Sequence, residues 1–364
     1  MTSLNTIPLT KLAQAEVAAL ARIHLWTTSK THEMMLQLGK AAQVELLRGA
    51  PQGSMDGADG YQVQQSLLRL WSETHEQWTK MFLKARLQAA RLPFALLAET
   101  HQRLMKPLAL AEAVVDGVFD PQIQIVLDAA GQKMFDDGLN LSGRIWKLDR
   151  EARAGIQQVI MNGVTNQLSA MDMARQLEVF LGAGADCPRW TSTRLYGMTK
   201  KEIASGDLRG LMSGEACDGS GISYNALRLA RTEIQAVHAM ATDAQLAMSP
   251  WVEKEQIHLS AGHPEEDICD ETIRSGEEGA GIYPVGTVAL PLHPNCLCYK
   301  TGVTMSEKDF IQQMKGWLNG TSGWAEMDAY AEGIGGVDRD LGSATLALGV
   351  WLFGNKDELA KVMR

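Results

Sequence analysis

The chain has 364 residues, 45% hydrophobic and 21% charged, a balance that suits a globular protein with its own core and excludes a disordered or fibrous chain. Thirty-four basic against 43 acidic residues leave a net charge of −9, and a protein built to coat nucleic acid would need a basic surplus to neutralise phosphate. Five cysteines, an odd number, do not form a secreted disulfide framework and fit a reducing compartment.

Residues 1–22 carry Lys11 and Glu16 and no compact apolar run before a small-residue cleavage site, so no secretory signal is read there. At about 150 residues per domain, the length suggests two domains or one with an appendage. Residues 9–118 are rich in helix formers, broken at 51–60 by the loop sequence PQGSMDGADG. In the second half, Leu67, Trp71, Thr74, Trp78, Met81 and Ala85 alternate at spacings of four and three, the pattern of a packing seam. It reads as an internal helical hairpin, with an intermolecular coiled coil as the alternative.

A second helical block runs over 120–181, with a turn expected at Asp136-Asp137-Gly138, an N-cap at Ser142, and Met173, Leu177 and Phe180 on one face. Arg144, Lys147, Arg150 and Arg153 recur every three residues, a solvated helix face or a contact for DNA or an acidic partner. The Gly-rich LGAGAD at 181–186 places a boundary near 183. A long helix is expected over 224–247, ended by Ser249-Pro250 because the residue before proline leaves the helical region.

Beyond Trp251 the apolar pieces at 256–259, 285–290 and 297–303 are short and separated by Gly and Pro, which predicts strands and loops. Ser306 caps a returning helix, and the chain closes on a Gly-rich stretch and an apolar run at 346–353. The longest uncharged stretch, 341–355, is shorter than the roughly 20 apolar residues a spanning helix requires, so no membrane span is expected. The fold class is therefore α+β and predominantly α-helical, with a small Cys/His-rich irregular β region.

Reactive side chains crowd between His258 and Cys298: His263, Asp267, Cys269, Asp270, His293, Cys296 and Cys298. Thiolate and imidazole are the ligands of tetrahedral zinc, and His293-x-x-Cys296 is a chelating pair. A site would take Cys269, His293, Cys296 and either Cys298 or His263. The alternative is three cysteines buried as small hydrophobes. Cys296-x-Cys298 is awkward for one site, since an extended strand would point the two thiols to opposite faces. On the long helix, Arg231 and Glu233 are two apart and cannot pair with each other; Arg231 either braces the cysteine-rich region through an acidic residue or is solvated. The chain has no Gly-x-Ser-x-Gly elbow, no phosphate loop and no His-Glu-x-x-His helix.

Taken in order, Leu141-Ser142-Gly143-Arg144-Ile145-Trp146, Gly163, Ala230-Arg231-Thr232-Glu233, Trp251, His263-Pro264, Asp267-Ile268-Cys269-Asp270, Tyr283-Pro284 and His293-Pro294-Asn295-Cys296-Leu297-Cys298 resemble the phage head morphogenesis family, the Mu F-like minor head proteins. The resemblance covers roughly residues 120–303. It implies a minor head protein of a tailed phage, present in few copies in the virion at the portal vertex and in the host cytoplasm during assembly. Its partner would be the portal protein, with the major capsid or scaffolding protein as further partners and DNA contact not dominant. Carried over by position, Arg231, Glu233, His263, Asp267, Cys269, His293, Cys296 and Cys298 form the organising core, around zinc or no metal. Where other members have Cys-x-x-Cys this chain has Glu266-x-x-Cys269, which argues against four thiolates. The implied division is a helical N-terminal arm (1–119), the family domain (120–303, with its Cys/His-rich region at 251–303) and a helical tail (304–364). The competing function is a metal-dependent nuclease or other hydrolase using His263, Asp267 and His293.

Overall fold

A computed structural model describes residues 7–50, 55–105, 119–135, 137–181, 222–260, 263 and 266–333. The boundary near 183 and the apolar run 346–353 lie outside the described residues. In chain order the elements are α1 (Ile7–Gly49), α2 (Gly57–Met105), α3 (Asp120–Gln132), α4 (Leu141–Thr165), α5 (Ala170–Leu181) and α6 (Ile222–Ala247). They are followed by β1 (Val252–His258), α7 (Ile268–Ser275), β2 (Ile282–Pro284), β3 (Tyr299–Thr304), α8 (Glu307–Leu318) and α9 (Ala325–Gly333). The fold is mostly helical with one small sheet, as the hydrophobic periodicity requires.

The seam on α2 lies inside the molecule. Leu67, Trp71, Trp78, Met81 and Ala85 are buried, and only Thr74 stays at the margin, its hydroxyl donating back to the Leu70 carbonyl at 2.9 Å. α2 packs along α1 and also against α4 and α6, so α1 and α2 share one core with the helices that follow. The buried indoles keep their N–H groups satisfied: Trp78 donates to Thr31 Oγ1 at 3.2 Å and Trp71 to Asp149 Oδ1 at 2.7 Å.

The N-cap of α4 is Asn140, not Ser142. Asn140 has extended backbone and its Oδ1 accepts from Gly143 N at 3.0 Å, so Ser142 already stands in the first turn. Where α4 crosses α5, Gly155 and Gly163 leave the room that Phe180 and Met173 fill. Nor is the basic row on α4 a uniform solvated face. Arg144 lies over the Phe135 ring and pairs with Asp137, while Arg153 bonds Asp149 and Ser72 of α2.

β1 is the central strand of a three-stranded antiparallel sheet in the order β2-β1-β3, with Glu255 opposite Tyr283 and Ile257 opposite Lys300. The apolar run 285–290 is not a strand. The chain leaves β2 at Pro284 because the buried Glu255 carboxylate takes the Gly286 and Val288 amides, both at 2.9 Å, away from strand pairing. Lys300 completes this buried network, donating to Glu255 at 3.1 Å, Asp243 at 2.5 Å and the Val288 carbonyl at 2.6 Å.

Ser306 caps α8 as expected, accepting from Asp309 N at 3.2 Å. α9 returns to the core through Tyr330, edge-on to Trp251 at 5.5 Å. Among the described residues no helix is long and apolar enough to cross a membrane.

Candidate metal centre

α6 is the platform of the site. Its Arg231, Thr232 and Glu233 are all buried, which removes the solvated alternative for this motif. Two neighbours of Arg231 on α6 brace the cysteine-rich segment. Thr232 Oγ1 accepts from Asn295 N at 3.2 Å, and Gln235 Nε2 donates to the Cys298 carbonyl at 2.7 Å. Neither Thr232 nor Gln235 announces this in the sequence, although both lie on the apolar face of α6, where a polar side chain requires a partner.

Three cations from other segments surround Glu233, with Arg144 Nη1 at 3.6 Å, Arg86 Nη2 at 3.9 Å and Lys133 close enough to act on its charge. Burial pushes its carboxyl above the usual range despite these cations, and neither oxygen makes a hydrogen bond. Glu233 therefore joins α6 to α2 and α4 and is not among the residues gathered at the cysteine cluster.

The cluster is assembled from two short segments. The first is the start of α7, where Asp267 is the N-cap: its Oδ1 accepts from Cys269 N at 2.7 Å, and Asp270 Oδ2 accepts from Asp267 N at 3.0 Å in a reciprocal capping box. The cap holds Cys269 in the first turn with its thiol inward. The second is 293–298, where Cys296 N donates to the His293 carbonyl at 3.2 Å across a turn and Asn295 takes a left-handed φ of 66°. The turn overrides the strand rule. Residues 296–298 are irregular backbone, so Cys296 and Cys298 both reach the cluster with Cys269, and all three are buried and unpaired by disulfides.

Cys269 Sγ and Cys296 Sγ are 3.7 Å apart. Two thiolates on one tetrahedral zinc, with Zn–S near 2.3 Å, stand about 3.8 Å apart, so the pair already has the spacing of a shared ion. Ligand atoms of Cys269, His293 and Cys296 lie within 4.8 Å of one another, and so do those of His263, Cys269 and Cys298. The two triplets share Cys269 and together bring in all five sequence-predicted ligands. Hydrogen bonding to Cys269 and Cys298 holds the Cys296 thiol well below the usual thiol range, and hydrogen bonding to Cys296 and Cys298 pushes Cys269 up. A metal bound here would displace protons from the thiols.

The histidines sit at opposite edges. His263 Nε2 is 2.7 Å from Asp270 Oδ2 and 3.6 Å from Asp267 Oδ1. His293 Nδ1 donates to the Pro294 carbonyl at 3.0 Å, and its Nε2 lies 3.1 Å from Asp267 Oδ2 without forming a hydrogen bond. The neighbouring Cys296 sulfur is the first cause that raises its imidazole, to about 9. Soft thiolates with imidazole and a buried nitrogen lacking a partner are the donor set of a zinc-class ion, and this Cys/His cluster could bind a metal. His263, Asp267 and Asp270 also lie together, but the capping box accounts for both carboxylates. Comparison with family models, with characterised proteins and with solved structures returns no match.

Proposed function

We propose that this chain is a minor head protein of a tailed bacteriophage, associating with the portal and acting in head assembly or DNA delivery as a structural component and not as an enzyme. The observation that carries the reading is the convergence of the two motifs most specific to the resemblance. The Arg-Thr-Glu helix and the His-Pro-Asn-Cys-Leu-Cys segment are joined by two hydrogen bonds, each linking residues 63 apart. In this reading the protein works at the portal vertex of the virion, with the portal protein as first partner and capsid or scaffolding protein as further ones, and the cluster holds zinc as a structural ion. Bound zinc supplies a cross-link between α7 and the 293–298 turn.

Co-expression with the portal protein of the same phage tests the reading: the two should co-purify, and two folded partners that fail to associate would sink it. Docking is better mapped by surface substitutions than by removing residues 1–119, since that deletion would strip Trp71, Trp78 and Phe82 from the shared core. The partly exposed contact of His293 with Asp267 favours a second reading, a metal-dependent hydrolase using His263, Asp267 and His293. Chelator-sensitive degradation of DNA would support it.

A further inference from the structure

We propose that Cys269, His293, Cys296 and Cys298 form a closed four-ligand zinc site, and that His263 stands outside it as a support for the helix cap. The inference deepens the zinc reading above and is independent of portal association.

The choice between the histidines rests on what each ring is already doing. His263 Nε2 bonds Asp270 Oδ2, the same oxygen that accepts from Asp267 N, so this ring buttresses the capping box that aims Cys269. His293 shares a turn with Cys296, closed by the Cys296 N to His293 carbonyl bond, so the His-x-x-Cys chelate is folded in advance. Its Nδ1 donates to the Pro294 carbonyl, which leaves Nε2 as the ring nitrogen that an ion can take once its proton is displaced. That nitrogen is buried and makes no hydrogen bond, even with Asp267 Oδ2 at 3.1 Å. A nitrogen withdrawn from water and not aligned on the nearest carboxylate costs free energy unless something else takes its lone pair. The three sulfurs of the cluster are equally removed from water, with Cys269, Cys296 and Cys298 each at most 1% exposed. One ion satisfies all four donors.

The consequence is chemical. Zinc with four protein ligands keeps no position for water, whereas catalytic zinc keeps one open, so a closed site assigns the ion to holding the fold and not to hydrolysis.

The experiment uses the full chain purified without added metal. Elemental analysis should find one zinc per chain, and X-ray absorption at the zinc edge should fit three sulfurs and one nitrogen with no coordinated water. Replacement by Co²⁺ should give the ligand-field bands of a four-coordinate thiolate site. His293→Ala should shift those bands and weaken zinc binding by more than about 100-fold. His263→Ala should leave the bands in place and weaken binding by about 10- to 100-fold, the usual effect of an outer support. Bands that move with His263→Ala and stay with His293→Ala overturn the assignment while leaving zinc in the cluster. Two sulfurs, or a water on the ion, overturn it as well. A folded chain that neither carries nor takes up zinc overturns both the assignment and the zinc reading beneath it. If either variant fails to fold by circular dichroism, the absorption fit on the wild-type chain still decides the ligand count and the open position.

Discussion

Gln235 donates to the Cys298 carbonyl at 2.7 Å while its own carbonyl accepts from His24 Nε2 at 3.3 Å, so one α6 side chain links the cysteine cluster to α1. The three residues are buried, and the cluster is thereby tied to the first helix of the chain. Gln235→Leu leaves the Cys298 carbonyl and the His24 ring without partners, and is expected to cost about 1–3 kcal/mol in urea denaturation. A variant within a few tenths of wild type would show that the link contributes nothing to stability.

The same bridge predicts acid sensitivity. Burial pulls the His24 imidazole down to about 3, while an unfolded histidine titrates near its ordinary value of about 6.5. Between these values the unfolded chain binds a proton that the folded chain refuses. The stability from neutral His24 is therefore complete above about pH 6.5 and falls by about 1.4 kcal/mol per pH unit on acidification toward pH 3. Burial also lowers His32, His75 and His258, which act in the same direction. His24→Gln keeps a donor for Gln235 and removes the titration, so its urea midpoint should fall less steeply from about pH 6 to pH 4, by one proton's share. Parallel pH profiles for the two proteins would refute the assignment.

What the sequence makes legible is what local periodicity and residue chemistry determine. The α2 seam is buried at Leu67, Trp71, Trp78 and Met81, α6 spans Ile222–Ala247 against the expected 224–247, and the five Cys and His candidates gather in two triplets that share Cys269. What stays hidden depends on contacts between distant residues. Nothing local distinguishes Asn140 from Ser142 as a cap, since both residue types serve and only the entry angle of the chain decides. The run 285–290 has the composition of a strand, and a buried glutamate 31 residues before Gly286 claims its amides. Cys296 and Cys298 point together because Asn295 turns the backbone, a conformation asparagine tolerates but does not dictate.

Gly163, one of the residues carrying the family resemblance, is explained by packing. A Cβ placed there would stand 2.0 Å from the sulfur of Met173, which is fully buried on α5. Gly163→Ala should destabilise by about 1–3 kcal/mol through overpacking, although alanine favours a helix by about 1 kcal/mol over glycine. Gly131 on α3 is the control: no atom lies within 4 Å of its Cβ position, so Gly131→Ala should be neutral or stabilising by up to about 1 kcal/mol. Equal melting shifts for the two variants would mean that α4 and α5 separate freely enough to admit the methyl group.

Lys300 tests whether the sheet depends on its buried charges. Its ammonium, 1% exposed at the side chain, is the cation between Glu255, fully buried, and Asp243. Lys300→Met keeps the apolar stem but leaves two carboxylates facing each other, and removal of one partner from a buried ionic group costs about 3–5 kcal/mol. Burial already holds Asp243 above the usual carboxylate range, with the Glu255 charge adding to it. Without the lysine Asp243 would rise further, so the folded variant would hold a proton that the unfolded chain releases. Its deficit should therefore grow as pH rises from about 5 to 8, where Asp243 must ionise without its cation. The comparison is a urea titration of both proteins at each pH. A deficit that shrinks toward pH 8 would mean that the Gly286 and Val288 amides alone neutralise Glu255, and that the lysine is dispensable to the turn that follows β2.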